Sequence, residues 1–182
     1  MEERNAHRLQ QNVIMIGMPG CGKSTVGKEL AKRLGKNFRD GDDVIREQMG
    51  CTLEDIMNER GPMGFLALEE EILSGVALDG VVFAPGGSCA YEDAAMAHLA
   101  ETATVVYLLA GYDDISARVG DLQKRGVVLK DGIGMSLQVL YDERHPLYLK
   151  FADVIVDETG MSVAQAADAV QTALEAFWKA EG

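Results

Sequence analysis

The sequence predicts an α/β fold with a central, parallel, five-stranded sheet flanked by helices. Two observations lead to this prediction. Strand-like and helix-like patterns alternate from one end of the 182-residue chain to the other, and such alternation is typical of a parallel sheet covered on both faces. A glycine-rich turn, Gly17–Ser24, also joins the first apolar run directly to the first helical pattern, as in anion-binding strand–loop–helix units.

The strands are predicted from short apolar runs bounded by glycine, proline or polar residues. Runs of this kind favour buried strands of a parallel sheet. The run at 103–109 is the most β-prone in the chain because it is rich in β-branched residues. The short segment 36–40 completes the five-stranded sheet. The predicted strands cover residues 12–16, 36–40, 81–84, 103–109 and 152–156.

The helices are predicted from their apolar periodicity and from capping residues. Capping boxes mark helix starts at Thr52–Asp55 and at Ser162–Gln165. Further helical patterns cover residues 25–34, 43–49, 64–78, 92–101 and 136–149. In the last helix, an apolar stripe at i, i+3, i+4 and i+7 predicts one buried face. The stripe consists of Val163, Ala166, Ala167, Val170, Ala173, Leu174 and Phe177.

Residues 120–134 differ from the rest of the chain, and we expect them to form a lid. The segment is too glycine-rich for a stable helix, and its basic residues suit a loop that closes over a nucleotide. An ordinary surface loop is the alternative. The residues behind this prediction are Gly120, Lys124, Arg125, Gly126, Lys130, Gly132 and Gly134.

The composition indicates a single domain spanning residues 1–182. Charged residues make up 25% and hydrophobic residues 47% of the chain, which is ordinary for a globular protein. The net charge of −12 would repel a phosphate backbone, so we expect no nucleic-acid partner. The polar N-terminal segment precedes an apolar run of only five residues, so we expect neither a signal peptide nor a membrane anchor.

The three cysteines, Cys21, Cys51 and Cys89, show neither metal-ligand nor redox spacing. We therefore expect no disulfide framework and no cysteine-bound metal. A cytoplasmic protein in a reducing compartment follows from this pattern. We expect it to be a monomer that acts on a small molecule and does not associate with a membrane.

Residues 17–24 match the phosphate-binding pattern G-x-x-x-x-G-K-[ST]. Glycines in such a loop let backbone N–H groups surround phosphate oxygens, the lysine reaches the β- and γ-phosphates, and the serine hydroxyl ligates Mg²⁺. We therefore expect ATP and Mg²⁺ as cofactors. A glycine-rich turn that ends in Lys-Ser by chance is the alternative. The residues expected at the nucleotide are Gly17, Gly20, Cys21, Gly22, Lys23, Ser24 and Thr25.

Other motifs separate the classes of protein that carry a phosphate loop. The N-K-x-D guanine motif of GTPases is missing, and the strand at 81–84 ends in Pro85-Gly86-Gly87, without the aspartate of motor ATPases. A compact chain, a basic lid and the acidic pair Asp40 and Asp42 favour a small-molecule kinase. The low pKa usual for an aspartate favours orientation of an acceptor hydroxyl by Asp42 over early proton removal. A solvated turn is the alternative for this pair.

Together these motifs resemble the shikimate kinase family over residues 13 to about 157. The resemblance rests on the phosphate loop and on five further features of the chain. These are Asp40-Gly41-Asp42 after Phe38; Glu69, at the glutamate of the family's F-R-x-x-E stretch; Gly86-Gly87, at its triple-glycine turn; Arg118 and Arg125, at its nucleotide-side and lid arginines; and the segment 142–148, at its R-x-P-x-Y pattern.

The resemblance implies a three-layer P-loop kinase fold with a lid. It also implies ATP-dependent phosphorylation of shikimate to shikimate 3-phosphate, a step of aromatic amino-acid biosynthesis. The catalytic residues would be Lys23, Asp42 and Arg125. The two nucleotide-side arginines would be Arg118 and Arg125, and the Mg²⁺ site would be Ser24 and Asp40. The substrate pocket would comprise Asp42, Leu66, Gly86, Gly87 and Arg144.

Two positions depart from the family pattern. Leu66 stands where the F-R-x-x-E stretch has its arginine, and Pro85-Gly86-Gly87-Ser88 replaces the triple glycine. Loss of an arginine–carboxylate hydrogen bond, about 1.5–3 kcal/mol, would weaken shikimate binding roughly ten- to hundredfold. Arg144 remains to grip the substrate carboxylate, with helix capping as its alternative role. Three alternative functions stay open: a homoserine kinase-type activity, a nucleotide-binding module without catalysis, and a nucleoside monophosphate kinase.

Overall fold

Five parallel strands form the central sheet of the computed structural model, which describes residues 10–119 and 136–181. The strands are β1 (Val13–Ile16), β2 (Asn37–Asp40), β3 (Val81–Ala84), β4 (Thr104–Leu109) and β5 (Val154–Asp157). Their order across the sheet is β2-β3-β1-β4-β5, and all neighbours pair in parallel. The predicted five-stranded parallel sheet is confirmed.

Helices flank the sheet, as the alternating pattern predicts. They are α1 (Lys23–Leu34), α2 (Gly41–Met49), α3 (Leu53–Leu73), α4 (Asp93–Thr102), α5 (Tyr112–Val119), α6 (Leu137–Phe151) and α7 (Val163–Glu181). A short 3₁₀ helix, Ser88–Tyr91, follows β3. The sequence analysis missed α5 and the 3₁₀ helix. The predicted lid at 120–134 lies outside the described residues. No helix in the two described stretches combines the length and apolarity needed to cross a membrane.

The burial of the strands follows from their positions in the sheet. All four residues of β1 are fully buried, because this strand has β3 on one side and β4 on the other. On the edge strand β5, buried and exposed residues alternate, and Ile155 is 49% exposed. Apolar residues on both faces of a central strand are the usual pattern of a parallel sheet covered by helices.

Helix α3 contains a kink that the sequence explains. Gly61 has φ 69° and ψ 176°, outside the helical region, and Pro62 follows it. Proline lacks a backbone N–H and fixes its own φ, so the helix restarts there. The second part of α3 ends at Leu73, five residues earlier than predicted. The capping box at Thr52–Asp55 is confirmed by reciprocal hydrogen bonds between the two residues.

The C-terminal helix α7 packs against α1 and β5. Its stripe buries Ala166, Ala167, Val170 and Leu174, as predicted. Val163 is the exception: it is 42% exposed, because it begins the helix. The capping box of Ser162 and Gln165 is confirmed by hydrogen bonds between the two residues.

The strand order places the functional loops together. Parallel strands point their carboxyl ends to one edge, and ligands of open α/β sheets bind there, where the strand connections diverge. In this chain β1 leads into the glycine loop at Gly17, β2 ends at Asp40, and β3 leads into the turn Pro85–Ser88. These three segments therefore meet at one edge of the sheet.

Candidate active site

The loop between β1 and α1 has the backbone that its glycines predict. Gly20 and Gly22 have φ values of 81° and 84°, in the left-handed region that favours glycine. A Cβ on Gly17 would lie 2.6 Å from the Leu108 carbonyl oxygen, and one on Gly20 would lie 2.6 Å from Val119 Cγ2. No larger residue fits either place without a shift of its neighbours.

Helix α1 offers its N-terminus to an anion. Its N-cap residue is Gly22, which has no side chain to accept hydrogen bonds from the first-turn N–H groups. Those N–H groups and the helix dipole favour a phosphate at this end. Thr25, in the same turn, lines an open cleft along α1 together with Ser24 and Lys28.

Lys23 is held within the loop. Its Nζ donates hydrogen bonds to the carbonyl oxygens of Gly17, at 2.8 Å, and Met18, at 2.9 Å. The side chain is buried, so its positive charge is only weakly screened by solvent. Cys21 is also buried, and this burial raises the pKa of its thiol. The loop therefore carries a fixed ammonium group and a neutral thiol.

Ser24 and Asp40 meet as the sequence predicts. The Ser24 hydroxyl donates to Asp40 Oδ2 at 2.9 Å, and Asp40 Oδ1 accepts from the Asp42 backbone N–H at 3.1 Å, which caps α2. A hydroxyl and a carboxylate oxygen are hard ligands that suit Mg²⁺, which usually keeps several waters and takes few protein ligands. The residues present therefore fit a magnesium site.

Asp42 lies in the first turn of α2, beside the turn that follows β3. A Cβ on the preceding Gly41 would lie 2.6 Å from the Pro85 carbonyl oxygen, so the two segments are in close contact. Burial, and then the charge of Asp40, raise the pKa of Asp42. The expectation of an ordinarily low pKa for this group is wrong. A partly buried carboxylate next to another carboxylate binds a proton more readily than an exposed one.

Arg144 is almost completely buried, with 1% of its surface exposed. It lies in the middle of α6, so the alternative of a helix-capping role is wrong. Its Nε donates to the Tyr91 hydroxyl at 3.2 Å, and its guanidinium stands 4.9 Å from the centre of the Tyr91 ring. A Cβ on Gly87 would lie 3.1 Å from Arg144 Nη1. The guanidinium therefore lies directly beside the glycine turn.

Glu69 lies beneath the same turn and is 1% exposed. The Ser88 hydroxyl donates to its Oε2 at 2.6 Å, and a Cβ on Gly86 would lie 3.1 Å from its Oε1. Burial raises the pKa of Glu69, and hydrogen bonds from Glu92 and Ser88 oppose this rise. Glu69, at the glutamate of the family's F-R-x-x-E stretch, therefore supports the Gly86–Ser88 turn.

Leu66, one turn before Glu69 on α3, belongs to the hydrophobic core and is 6% exposed. It has no polar atom with which to bind a carboxylate. That Leu66 lines the substrate pocket stays a prediction. The sequence analysis missed two residues at the acceptor side, Tyr91 and Glu92. It placed Tyr148 in the family's R-x-P-x-Y pattern but missed the hydrogen bond that its hydroxyl donates to the Gly87 carbonyl oxygen, at 2.7 Å.

Arg118 lies near the glycine loop on α5. Its Cβ would be 3.8 Å from a Cβ on Gly20, which agrees with a nucleotide-side position. Its guanidinium is engaged by Glu158 at 2.5 Å and by Asp114 at 3.7 Å. Arg125 lies outside the described residues, so its role as a lid arginine stays a prediction.

Comparison with known proteins places this site in a family. The family model described as shikimate kinase matches residues 19–175. The chain belongs to the shikimate kinase family. It is 34% identical to the shikimate kinase of Francisella tularensis subsp. holarctica over 166 residues, which cover 90% of this chain and 94% of that protein. The predicted resemblance and the prediction of a small-molecule kinase are confirmed.

Solved structures agree with this assignment. A shikimate kinase from Acinetobacter baumannii in complex with shikimate has 28% sequence identity and a TM-score of 0.80, covering 97% of this chain and 98% of its own. A shikimate kinase from Bacteroides thetaiotaomicron has 26% identity and a TM-score of 0.72, covering 91% and 98%. The chain is therefore an ATP-dependent kinase of this family, with its P-loop fold.

Proposed function

We propose that this protein transfers the γ-phosphoryl group of ATP to a hydroxyl of shikimate, giving shikimate 3-phosphate. The observation that supports this most directly is the buried Arg144 guanidinium beside the Gly86–Ser88 turn. A guanidinium in such a place binds a carboxylate through two charge-assisted hydrogen bonds. The family comparisons favour shikimate over homoserine as the source of that carboxylate.

Phosphoryl transfer needs mainly positioning of the reactants and neutralisation of charge, because the protein takes little part in the covalent chemistry. Lys23 would place its ammonium at the β- and γ-phosphates, and Arg125 would add a second positive charge from the lid. Ser24 and Asp40 would hold Mg²⁺, which supplies charge neutralisation at the phosphates when it is bound. These roles are inferred from residue chemistry and family pattern.

Asp42 would orient the acceptor hydroxyl toward the γ-phosphate and accept its proton as the new O–P bond forms. Its raised pKa makes it a better proton acceptor than a solvated aspartate would be. Two observations support this role: the preceding Gly41 packs against Pro85, and the charge of Lys23 acts on Asp42. In this arrangement Arg144 would bind the carboxylate of the substrate, and Asp42 would bind its reacting hydroxyl.

The remaining proposals concern the protein as a whole. We take residues 1–182 as a single kinase domain with its lid at about 120–134, acting as a cytoplasmic monomer on a small molecule. The net charge of −12 argues against a nucleic-acid partner. Size-exclusion chromatography with light scattering tests the oligomeric state: a mass near 19.7 kDa is expected, and one near twice that value would overturn the monomer.

A panel of acceptors tests the substrate. ADP release is measured with ATP, Mg²⁺ and, in turn, shikimate, homoserine and gluconate. We expect kcat/KM for shikimate to exceed that for either of the others at least about a hundredfold, since each buried group left unpaired by a wrong acceptor costs about 1–3 kcal/mol. Preference for homoserine would overturn the proposal. ATP binding without turnover of any acceptor would point to a binding module.

Replacing Leu66 with arginine tests whether the arginine that the family pattern has at this position would strengthen shikimate binding. We expect Leu66→Arg to lower the KM for shikimate about tenfold, because a second guanidinium can bond the substrate carboxylate. The buried position should also lower the melting temperature. The control is Leu66→Met, which keeps the volume and adds no charge. A KM that does not fall in Leu66→Arg, in protein shown to be folded, would count against shikimate.

A further inference from the structure

The protein interior beneath the Gly86–Ser88 turn holds, besides Glu69, a second carboxyl group that the proposed function does not use. Glu92 caps the start of α4 and is 2% exposed. Neither of its carboxylate oxygens accepts a hydrogen bond from a donor in the described parts of the chain. A buried carboxylate without a donor is costly, and such a group requires an explanation.

The neighbour of Glu92 is Glu69. Both side chains are buried, and a hydrogen bond between them contributes to the pKa of each. Two ionised carboxylates repel, and neither has a proton to donate, so the contact forms only when one of them is protonated. Burial, and then the charge of Glu69, raise the pKa of Glu92 to about 10. The pair therefore holds one proton at neutral pH.

The other charged groups around the pair come from three elements. Glu70 on α3 and Arg144 on α6 act on Glu92, and Asp42 on α2 and Arg144 act on Glu69. Among the groups named here, Arg144 is the one cation, against four acids: Glu69, Glu92, Glu70 and Asp42. If Glu92 were ionised as well, the charge around the turn would become more negative and would repel a substrate carboxylate.

Leu66 explains why this chain needs such a proton. An arginine at position 66 would share a helix face with Glu69, three residues further along α3, and could pair with it. Leucine leaves Glu69 without that cation. Within residues 10–119 and 136–181, the Ser88 hydroxyl donates to Glu69, and Glu92 is the second side chain that hydrogen-bonds to it.

We propose that Glu92 is a positioning residue of the acceptor pocket, whose carboxyl proton bonds to Glu69 and so holds Glu69 beneath the Gly86–Ser88 turn. This inference rests on the proposed function for its effect on substrate. The protonated Glu92 does not touch the substrate. It acts through Glu69, which supports the turn beside Arg144.

The first test follows the proton through stability. The folded protein keeps the Glu92 proton at pH values where the unfolded chain, with the ordinary glutamate pKa of 4.5, has lost it. Unfolding then releases a proton, so stability falls as pH rises above that value. Glu92→Gln has no such proton. Relative to this variant, the unfolding equilibrium constant of the wild type should rise about tenfold per pH unit between pH 6 and 8.

Urea unfolding gives this ratio, followed by the fluorescence of the single tryptophan, Trp178, which is anchored to Thr104 by a hydrogen bond. The readout is the change of this ratio with pH. A difference in stability caused only by the packing of the amide would be the same at every pH and would not change the slope. The control is Asp93→Asn, which removes an exposed acid next in the chain and keeps Glu92, so it should show the same pH slope as the wild type. Equal slopes in the wild type and Glu92→Gln would overturn the inference.

The second test separates substrate binding from nucleotide binding. An amide can still donate to Glu69, so Glu92→Gln should keep the KM for shikimate within about threefold. Glu92→Leu has no donor and should raise it about tenfold, with the KM for ATP changed less than twofold. An unchanged shikimate KM in Glu92→Leu would overturn the positioning role. If the wild type does not use shikimate, the proposed function fails, the pH slope still decides the Glu92 proton, and the KM comparison uses the acceptor identified by the panel.

Discussion

Replacing Lys23 with methionine is expected to lower kcat at least about a thousandfold while the protein remains folded. Lys23 is the one cationic residue of the loop Gly17–Ser24, and we propose that it lies at the transferred phosphates. Removing a preorganised charge from a transition state costs about a hundred- to a thousandfold or more. Methionine has nearly the same length but no charge. The effect should appear in kcat, since the loop N–H groups that bind phosphate remain.

The structure also predicts the cost of this change to stability. Lys23→Met removes two hydrogen bonds, to the carbonyl oxygens of Gly17 and Met18, so we expect a fall in melting temperature of about 5 °C. ADP release, circular dichroism and calorimetric titration with Mg²⁺-ATP measure the three quantities. Lys179→Met, at an exposed lysine of α7, is the control. Undiminished ADP release in folded Lys23→Met would refute the assignment of the phosphate loop.

The phosphate side of the site could be predicted from the sequence because its determinants are local. The glycine loop, Lys23 and Ser24 lie within one strand–loop–helix unit, and each glycine is needed for a backbone conformation or a close contact that the structure shows. Asp40 was also predictable, since it ends the next strand of the sheet. Apolar runs were sufficient to predict four of the strands, whereas β2 has the polar sequence Asn37-Phe38-Arg39-Asp40.

The acceptor side depends on contacts between residues far apart in the chain. Arg144 reaches Tyr91 across 53 residues, and Glu69 reaches Ser88 across 19. Neither distance nor burial is encoded in a local pattern, so Arg144 was predicted only through its resemblance to the family. The proton on Glu92 could not be predicted from the sequence, because it depends on the burial of both Glu92 and Glu69. One local signal did exist: Glu92 lies two residues after the buried stretch Ser88–Ala90.

The pKa of Asp42 was mispredicted for the same reason. An aspartate in the sequence Asp-Gly-Asp-Asp suggests an exposed turn, where its pKa stays low. In the structure the α2 N-terminus is pressed against Pro85, and Asp40 lies beside Asp42 as its capping neighbour. Desolvation and like charge act in the same direction, and both arise only once β2 and β3 are paired.

Replacing Asp42 with asparagine is expected to lower kcat about a hundredfold and to leave nucleotide affinity within about twofold. A positioned general base contributes about a hundred- to ten-thousandfold, and asparagine can orient a hydroxyl but cannot accept its proton. We propose Asp42 as distinct from the residues that would hold Mg²⁺, because the Ser24 hydroxyl donates to Asp40. Removing the charge next to Asp40 should also relieve repulsion, so the melting temperature should not fall.

Two measurements on the same preparations test this prediction. Steady-state kcat comes from ADP release at saturating acceptor, and nucleotide affinity comes from calorimetry with a non-hydrolysable ATP analogue and Mg²⁺. Asp43→Asn is the matched control, because Asp43 is the exposed neighbour on α2 and is ion-paired with Arg46. We expect it to change neither quantity by more than twofold. Equal losses of kcat and of nucleotide affinity in Asp42→Asn would move Asp42 to the metal side of the site.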